Sequence, residues 1–233
     1  FCFLLRKSLV LADQIICVSD WTYQQLLKIN PTIVRKTQVI PHGVVKRSSV
    51  LPRFSRQGRG VVNLLYVSRF EIYKRFKMII EILENMPEVF FTIVSNQKGL
   101  DFFKEVGNKF LANGRLKVKI AVSSTELKKL YQKADLYCHP SLYEGYCLPV
   151  QEALDEGLTV VFTKGSAMDE LVTDGLGFGV PADHGVNSWK NNILKALLLK
   201  ETSLFYKAQK HRSQTLLTWQ QVASSYLRVY NKI

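Results

Sequence analysis

No apolar stretch in this chain is long enough to cross a bilayer. The opening FCFLL and SLVLA are cut apart by Arg6 and Lys7, well short of the roughly 18 to 20 residues a helical span requires. An integral membrane protein is therefore not expected, and 47% hydrophobic residues suit a soluble chain with a buried core. Cysteine is scarce. Cys2, Cys17, Cys138 and Cys147 have neither zinc-like nor disulfide-like spacing, which favours a reducing, cytoplasmic setting. No histidine or cation adjoins Cys147 along the chain, so nothing local marks it as a reactive thiol. The four histidines, His42, His139, His184 and His211, are scattered and there is no Asp-x-Asp, so neither a metal nor another cofactor is expected, and each histidine reads as packed or solvated. A chain opening on Phe1 rather than Met leaves room for a leader or an upstream domain.

Acidic residues are also few, 19 against 32 Lys and Arg, for a net charge of +13. Residues 46–77 carry nine bases against Glu71 alone, and residues 190–233 eight against Glu201 alone; residues 78–189 hold ten bases and fifteen acids. Basic flanks around a mildly acidic centre suit a phosphate-bearing ligand, peripheral contact with an anionic membrane, or nucleic acid, and equally a solvated lysine-rich surface. Aromatic-rich RNA motifs are missing, which ranks nucleic acid last.

From Val61 onward, short apolar runs alternate with amphipathic ones. VVNLLYVS, EVFFTIVS, LKVKIAV, DLYCHP and LTVVFT read as strands. KMIIEILENM, with Met78, Ile79, Ile82, Leu83 and Met86 on one face, reads as a helix, as do 101–111, STELKKLYQKA with Ser124 as N-cap, and 150–156. This alternation predicts an α/β fold, a Rossmann-like lobe with a parallel sheet and right-handed crossovers. Ahead of it, ADQIICVSD, WTYQQLLKI and TQVIPHGV give a strand, a helix and a strand too small to form a sheet of their own. Residues 1–43 are therefore expected to be the tail of another lobe. Residues 44–60, basic and rich in Ser, Arg and Gly, form the linker and 61–215 the main domain. Helices are expected at 186–199, 203–215 and 219–230, with 216–233 as a separate terminal element.

One stretch, PSLYEGYCLPVQEAL, carries the chemistry. Ligands of parallel sheets bind beyond the carboxyl ends of the strands, where helix N-termini also point. DLYCHP is such a strand end, and Pro149 suits the first helical position because its missing N–H would be unpaired there. The turn at Gly145 then aims the amides of Cys147 and Leu148 into the crevice as an anion site. Glu144 precedes the helix and Glu152 lies a turn inside it, so the carboxylates should flank a diphosphate and accept hydrogen bonds from hydroxyls beside it. Arg69 and Lys74, after the first core strand, offer a planar fork and a point charge to the phosphates. Taken singly, each residue is as well explained by a solvated surface.

SRFEIYK, ELKKLYQKADLYCHPSLYEGYCLPVQEALDEGLTVVFT, GSAMDELVTDGLGFGVPADH, VIPHGV and TWQQVASSYLRVY together resemble the retaining GT-B-fold glycosyltransferases of family four, a group with phosphatidylinositol mannosyltransferase and relatives of sucrose and glycogen synthase. The resemblance covers nearly the whole chain but only the second half of a full enzyme. It implies that Glu144 lies near the donor sugar, that Glu152 holds the ribose, and that Arg69 and Lys74 neutralise the leaving diphosphate. It places the backbone of Tyr146, Cys147 and Leu148 against sugar or phosphate, and the base near Ala121 and Val122. VIPHGV becomes the interdomain hinge and the last helix a return to the first lobe. Cys147, Arg75 and Ile120 stand where the family often has glycine, and Val45 where it often has aspartate.

The expected function is transfer of a sugar, with retention, from a nucleotide diphosphate sugar to the hydroxyl of a glycan or lipid-linked acceptor, without a metal, in the cytoplasm or at a membrane surface. The alternatives are a nucleotide-sugar epimerase of related fold, which needs no acceptor, a non-catalytic basic binding module, whose affinity would fall steeply with salt, and a degenerate transferase that only binds.

Overall fold

The computed structural model describes residues 2–44 and 60–231, with side chains from residue 7 onward. Val45 and nearly all of the expected linker lie outside the described residues.

The first segment contains helix α1 (Cys2–Leu11), strand β1 (Ile15–Cys17), helix α2 (Asp20–Ile29) and strand β2 (Thr37–Val39). The two strands pair in parallel as a small sheet. Ser19 caps α2, its hydroxyl accepting from the Thr22 amide, which satisfies one of the unpaired donors at a helix start.

The main sheet has six strands: β3 (Val62–Val67), β4 (Val89–Ser95), β5 (Leu116–Ile120), β6 (Leu136–His139), β7 (Val160–Thr163) and β8 (Gly177–Val180). Their order is β5-β4-β3-β6-β7-β8 and every pairing is parallel. The fold is α/β with helices on both faces, as the alternation of patterns predicts. Because side chains alternate along a strand, Leu64, Tyr66, Phe91, Ile93, Leu136 and Cys138 enter one core, against α3 (Phe76–Asn85) and α9 (Val186–Leu199). Leu65, Val94, Tyr137, Val160 and Phe162 enter the other, against α6 (Ser124–Lys133), α7 (Leu148–Asp155) and α10 (Ser203–Thr215).

Several boundaries differ from the sequence expectation. The helix expected at 101–111 is two, α4 (Gln97–Val106) and α5 (Asn108–Ala112), broken at Gly107. The hydroxyl that caps α6 belongs to Ser123, not Ser124. Helix α7 starts at Leu148, so Pro149 takes its second position, where a missing N–H is still costless. Strand β8, the short α8 (Met168–Leu171) and α1 have no counterpart in the sequence expectation, whereas α9, α10 and the terminal helix α11 (Trp219–Tyr230) match their expected limits.

Helix α11 leaves the main domain and packs on the small sheet. Its Val222 and Val229 form a cluster with Ile40, joined by Ile16, and Thr218 bridges to Val44. A reciprocal capping box between Thr218 and Gln221 starts the helix. Among the described residues no helix is long and apolar enough to cross a membrane.

Candidate active site

Strand order reverses at the β3–β6 pair, where Leu64 faces Leu136 and Leu65 faces Tyr137. In open parallel sheets a crevice forms beyond the carboxyl ends of such a pair, since the following loops diverge to opposite faces. The loop after β3 carries Arg69 and Lys74, and the loop after β6 carries Glu144 to Cys147. The Leu142 amide donates to the Tyr73 carbonyl at 2.9 Å and ties the two loops together.

Lys74 ends a short 3-10 turn, and the Tyr66 hydroxyl donates to its carbonyl at 2.9 Å. Its ammonium lies 2.6 Å from Glu144 Oε1. The same oxygen lies 2.6 Å from Nε2 of His139, a ring only 1% exposed at the end of β6. Nδ1 of His139 is 3.1 Å from the Tyr137 hydroxyl, which in turn lies within hydrogen-bond reach of both backbone groups of Val67. Burial alone would raise the Glu144 carboxyl, but the hydrogen bonds and positive field of His139 and Lys74 outweigh it and hold the pKa down to about 2. Burial lowers the His139 ring below its usual value despite the pull of Glu144. At neutral pH Glu144 is thus an anion held between the Lys74 ammonium and the His139 ring.

Helix α7 points its N-terminus into the same crevice. Its N-cap, Cys147, has φ +81°, a left-handed conformation that favours glycine. The turn is what leaves the amides of Tyr146, Cys147 and Leu148 without an acceptor among the described residues, an arrangement whose chemistry suits an anion. The Gly145 carbonyl faces the other way and accepts from the Ser19 and Thr22 hydroxyls at 2.7 and 2.9 Å. Tyr146 packs edge-on against His42 at 4.7 Å and hydrogen-bonds Gln151, whose amide donates to the Gly43 carbonyl at 2.8 Å. The VIPHGV segment therefore abuts the site loop.

Glu152 is separated from Glu144 and has a different environment. It accepts from the Tyr131 hydroxyl at 2.8 Å, and loss of water around its carboxyl raises its pKa although the residue as a whole is exposed. It lines a cleft of about 510 Å³ between α6 and α7, with Leu127, Tyr131, Leu148 and Trp219 among the walls. Arg69 is exposed, and its guanidinium has no partner among the described residues. Ala121 is exposed just beyond β5, while Val122 packs into the core beneath α6 and α7.

Burial pushes the Cys147 thiol up, in keeping with an unreactive thiol, and His139 is packed, yet both gain partners in space. Cys147 does have a histidine partner: its Sγ is 3.4 Å from His139 Nε2, a contact that the intervening loop creates and chain proximity does not. His139 is packed, as expected, and in addition meets Glu144. The useful signal was the period of two in DLYCHP, which puts Tyr137 and His139 on one face of the strand. Near β5, the left-handed residue is Ala121 at φ +51°, one beyond Ile120. Arg75 at φ +51° and Cys147 match their expected glycine-like positions. The three non-glycine residues with positive φ among the described residues each sit in a loop that follows a strand of the main sheet: β3, β5 and β6.

Residues 57–212 match the model of the family Glycosyl transferases group 1. The chain is 25% identical over 239 residues to a component of human phosphatidylinositol N-acetylglucosaminyltransferase, covering 99% of this chain and 48% of that protein. It superposes on sucrose-phosphate synthase from Thermosynechococcus elongatus with a TM-score of 0.79 at 18% identity, over 99% of this chain and 61% of that one. It also superposes on Anabaena HepE, solved with UDP and glucose, with a TM-score of 0.76 at 17% identity, over 100% and 68%. The chain spans about half the length of the curated relatives it matches. With two-thirds of its length matched by the family model and a GT-B-type parallel sheet, the chain belongs to the glycosyl transferases of group 1.

Proposed function

We propose that this chain is the C-terminal, donor-binding half of a retaining glycosyltransferase that moves a sugar from a nucleotide diphosphate sugar to an acceptor hydroxyl on a glycan or a lipid-linked carrier. The observation that carries the proposal is the convergence, at the sheet's switch point, of the Lys74–Glu144 pair with a helix start whose amides have no acceptor among the described residues. In it, residues 1–43 are the tail of the acceptor-side lobe, 44–60 the linker, 61–215 the donor domain and 216–233 the return to the first lobe. No metal is required.

The diphosphate lies against the amides of Tyr146, Cys147 and Leu148, with Arg69 and Lys74 as counter-charges. Glu144 accepts from sugar hydroxyls beside Gly145, Glu152 accepts from the ribose, and the base lies toward Ala121 and Val122. The cleft shared by Glu152 and Leu148 supports this placement of the nucleoside. Fixed donors aimed at a leaving diphosphate stabilise its growing charge without reorganising, which is where such a site gains rate. The leaving phosphate itself takes the acceptor proton on the same face. The names of the relatives divide between N-acetylglucosamine and mannose transfer, and Anabaena HepE was solved with UDP; UDP-N-acetylglucosamine is the first donor to test.

Calorimetry with UDP-, GDP- and ADP-sugars tests the proposal on the intact protein. Lys74→Ala should weaken a nucleotide sugar far more than the free nucleoside, and Glu152→Ala should weaken both by roughly 1.5 to 3 kcal/mol, the range for a hydrogen bond to a charged acceptor. Equal losses with Lys74→Ala, or unchanged affinity with Glu152→Ala in a folded protein, would contradict these roles.

A further inference from the structure

We propose that His139, Glu144 and Cys147 form a site for a thiophilic divalent cation of the zinc type, largely buried at the carboxyl end of β6. One imidazole, one carboxylate and one thiol offer ligand atoms that all lie within 4.8 Å of one another. They come from three adjoining pieces of backbone: the end of β6, the following loop and the N-cap of α7. The left-handed backbone at Cys147 turns its side chain inward, and the thiol is buried beside the imidazole.

The Sγ–Nε2 spacing already suits such an ion, the Nε2–Oε1 pair must open, and the Sγ–carboxylate pair lies within 4.8 Å. Zinc bonds of about 2.0 to 2.3 Å in tetrahedral geometry place neighbouring ligand atoms roughly 3.3 to 3.8 Å apart. Sγ and Nε2 are already 3.4 Å apart. Nε2 and Oε1, at 2.6 Å, are joined by a hydrogen bond and separate by about 1 Å when an ion replaces the proton between them. Three protein ligands leave a fourth position for water. The thiol selects zinc or cobalt over magnesium, which demands oxygen ligands.

The proton inventory closes with groups already in place. The thiol proton is released as Sγ binds. The imidazole proton moves from Nε2 to Nδ1, where the Tyr137 hydroxyl, 3.1 Å away, accepts it while donating to the Val67 carbonyl. Histidine ligands generally have such a hydrogen-bond partner on the far ring nitrogen, which fixes the tautomer and the ring orientation. Thiolate and carboxylate then balance the ion's two charges. The ammonium of Lys74 competes for Oε1, so the ion enters only when that flexible side chain swings aside.

The metal site stands on this geometry alone. Its consequence for activity rests on the donor proposal: an ion on Glu144 takes the carboxylate assigned to the sugar, so metal and nucleotide sugar exclude one another and zinc acts as an inhibitor.

The test is titration of the full chain with Co²⁺, followed by displacement with Zn²⁺. The expected result is one equivalent of cobalt with a thiolate-to-metal charge-transfer band that zinc abolishes. Cys147→Gly is the decisive variant, since glycine tolerates φ +81° and keeps the fold; it should lose the band. Tyr137→Phe should weaken the metal about 10- to 100-fold, as loss of the hydrogen bond behind a histidine ligand does, and Lys74→Ala should tighten it. No band in the parent protein, or an undiminished band in Cys147→Gly, would overturn the site. Zinc should also weaken UDP-N-acetylglucosamine binding in the parent and not in Cys147→Gly. If no nucleotide sugar binds even without metal, the donor proposal fails while the cobalt spectra still decide the metal site.

Discussion

At the scale of single residues, Glu144 concentrates the electrostatics of the site. A carboxylate 12% exposed, with Lys74 and His139 on one oxygen, is ionised well below the ordinary carboxylate range. Since its folded pKa of about 2 lies below the usual 4.5, its contribution to stability is present above about pH 4.5 and is lost as pH falls through 2. The shift corresponds to roughly 3 kcal/mol. Urea unfolding between pH 5 and 2 should therefore be steeper in pH for the parent than for Glu144→Gln, which also leaves the Lys74 ammonium buried without its counter-ion and should be less stable at neutral pH. Parallel pH profiles for the two proteins would deny Glu144 this role.

At the scale of elements, the site depends on how α6 and α7 are held together. The Tyr131 hydroxyl, from α6, reaches both the Pro149 carbonyl and the Glu152 carboxylate of α7, and it is the group that opposes the rise in Glu152's pKa. Tyr131→Phe should cost about 1 kcal/mol of stability, raise the Glu152 pKa further, and weaken a nucleotide sugar without touching the Lys74 side of the crevice. Carboxyl NMR titration and calorimetry would check the two effects, and an unmoved Glu152 titration would count against the bond. Legibility in the sequence also divides by element. Helices α9 to α11 were readable because each carries its own apolar pattern, and Thr202 and Thr218 cap the last two. Strand β8, GFGV, was not, because two of its four residues are poor strand formers. Glycine is there for space: a Cβ on Gly177 would lie 2.0 Å from the Val160 carbonyl oxygen of β7, and one on Gly179 would run into Lys164. Edge pairing to β7 decides that strand, and no local propensity reports it.

At the scale of the whole molecule, the small sheet, the last helix and the site loop meet around residues 41–44. Gln151 holds the Gly43 carbonyl, Tyr146 rests on His42, and Glu170 caps the start of α2 through the Asp20 and Trp21 amides. Gly43 has no room for a side chain, since a Cβ would lie 2.6 Å from the Trp219 backbone nitrogen and 2.7 Å from its Cα. Gly43→Ala should cost about 1 to 3 kcal/mol, as overpacking against an unyielding backbone does, and change the emission of the half-exposed Trp219. An unchanged midpoint and spectrum would mean that this junction is loose.

The sequence by itself determined the alternation of strands and helices and the placing of Arg69, Lys74 and Glu144 in loops at the carboxyl ends of the strands. Those features follow from periodicity, helix-terminus chemistry and the direction of the strands, all local along the chain. Tertiary structure alone decided that Lys74 meets Glu144 across seventy residues, that His139 and Tyr137 stand behind that carboxylate, and that Cys147 turns its thiol onto the same imidazole. Those contacts depend on β3 and β6 lying side by side in register, and long-range strand pairing is set by the packing of the whole sheet rather than by any one segment.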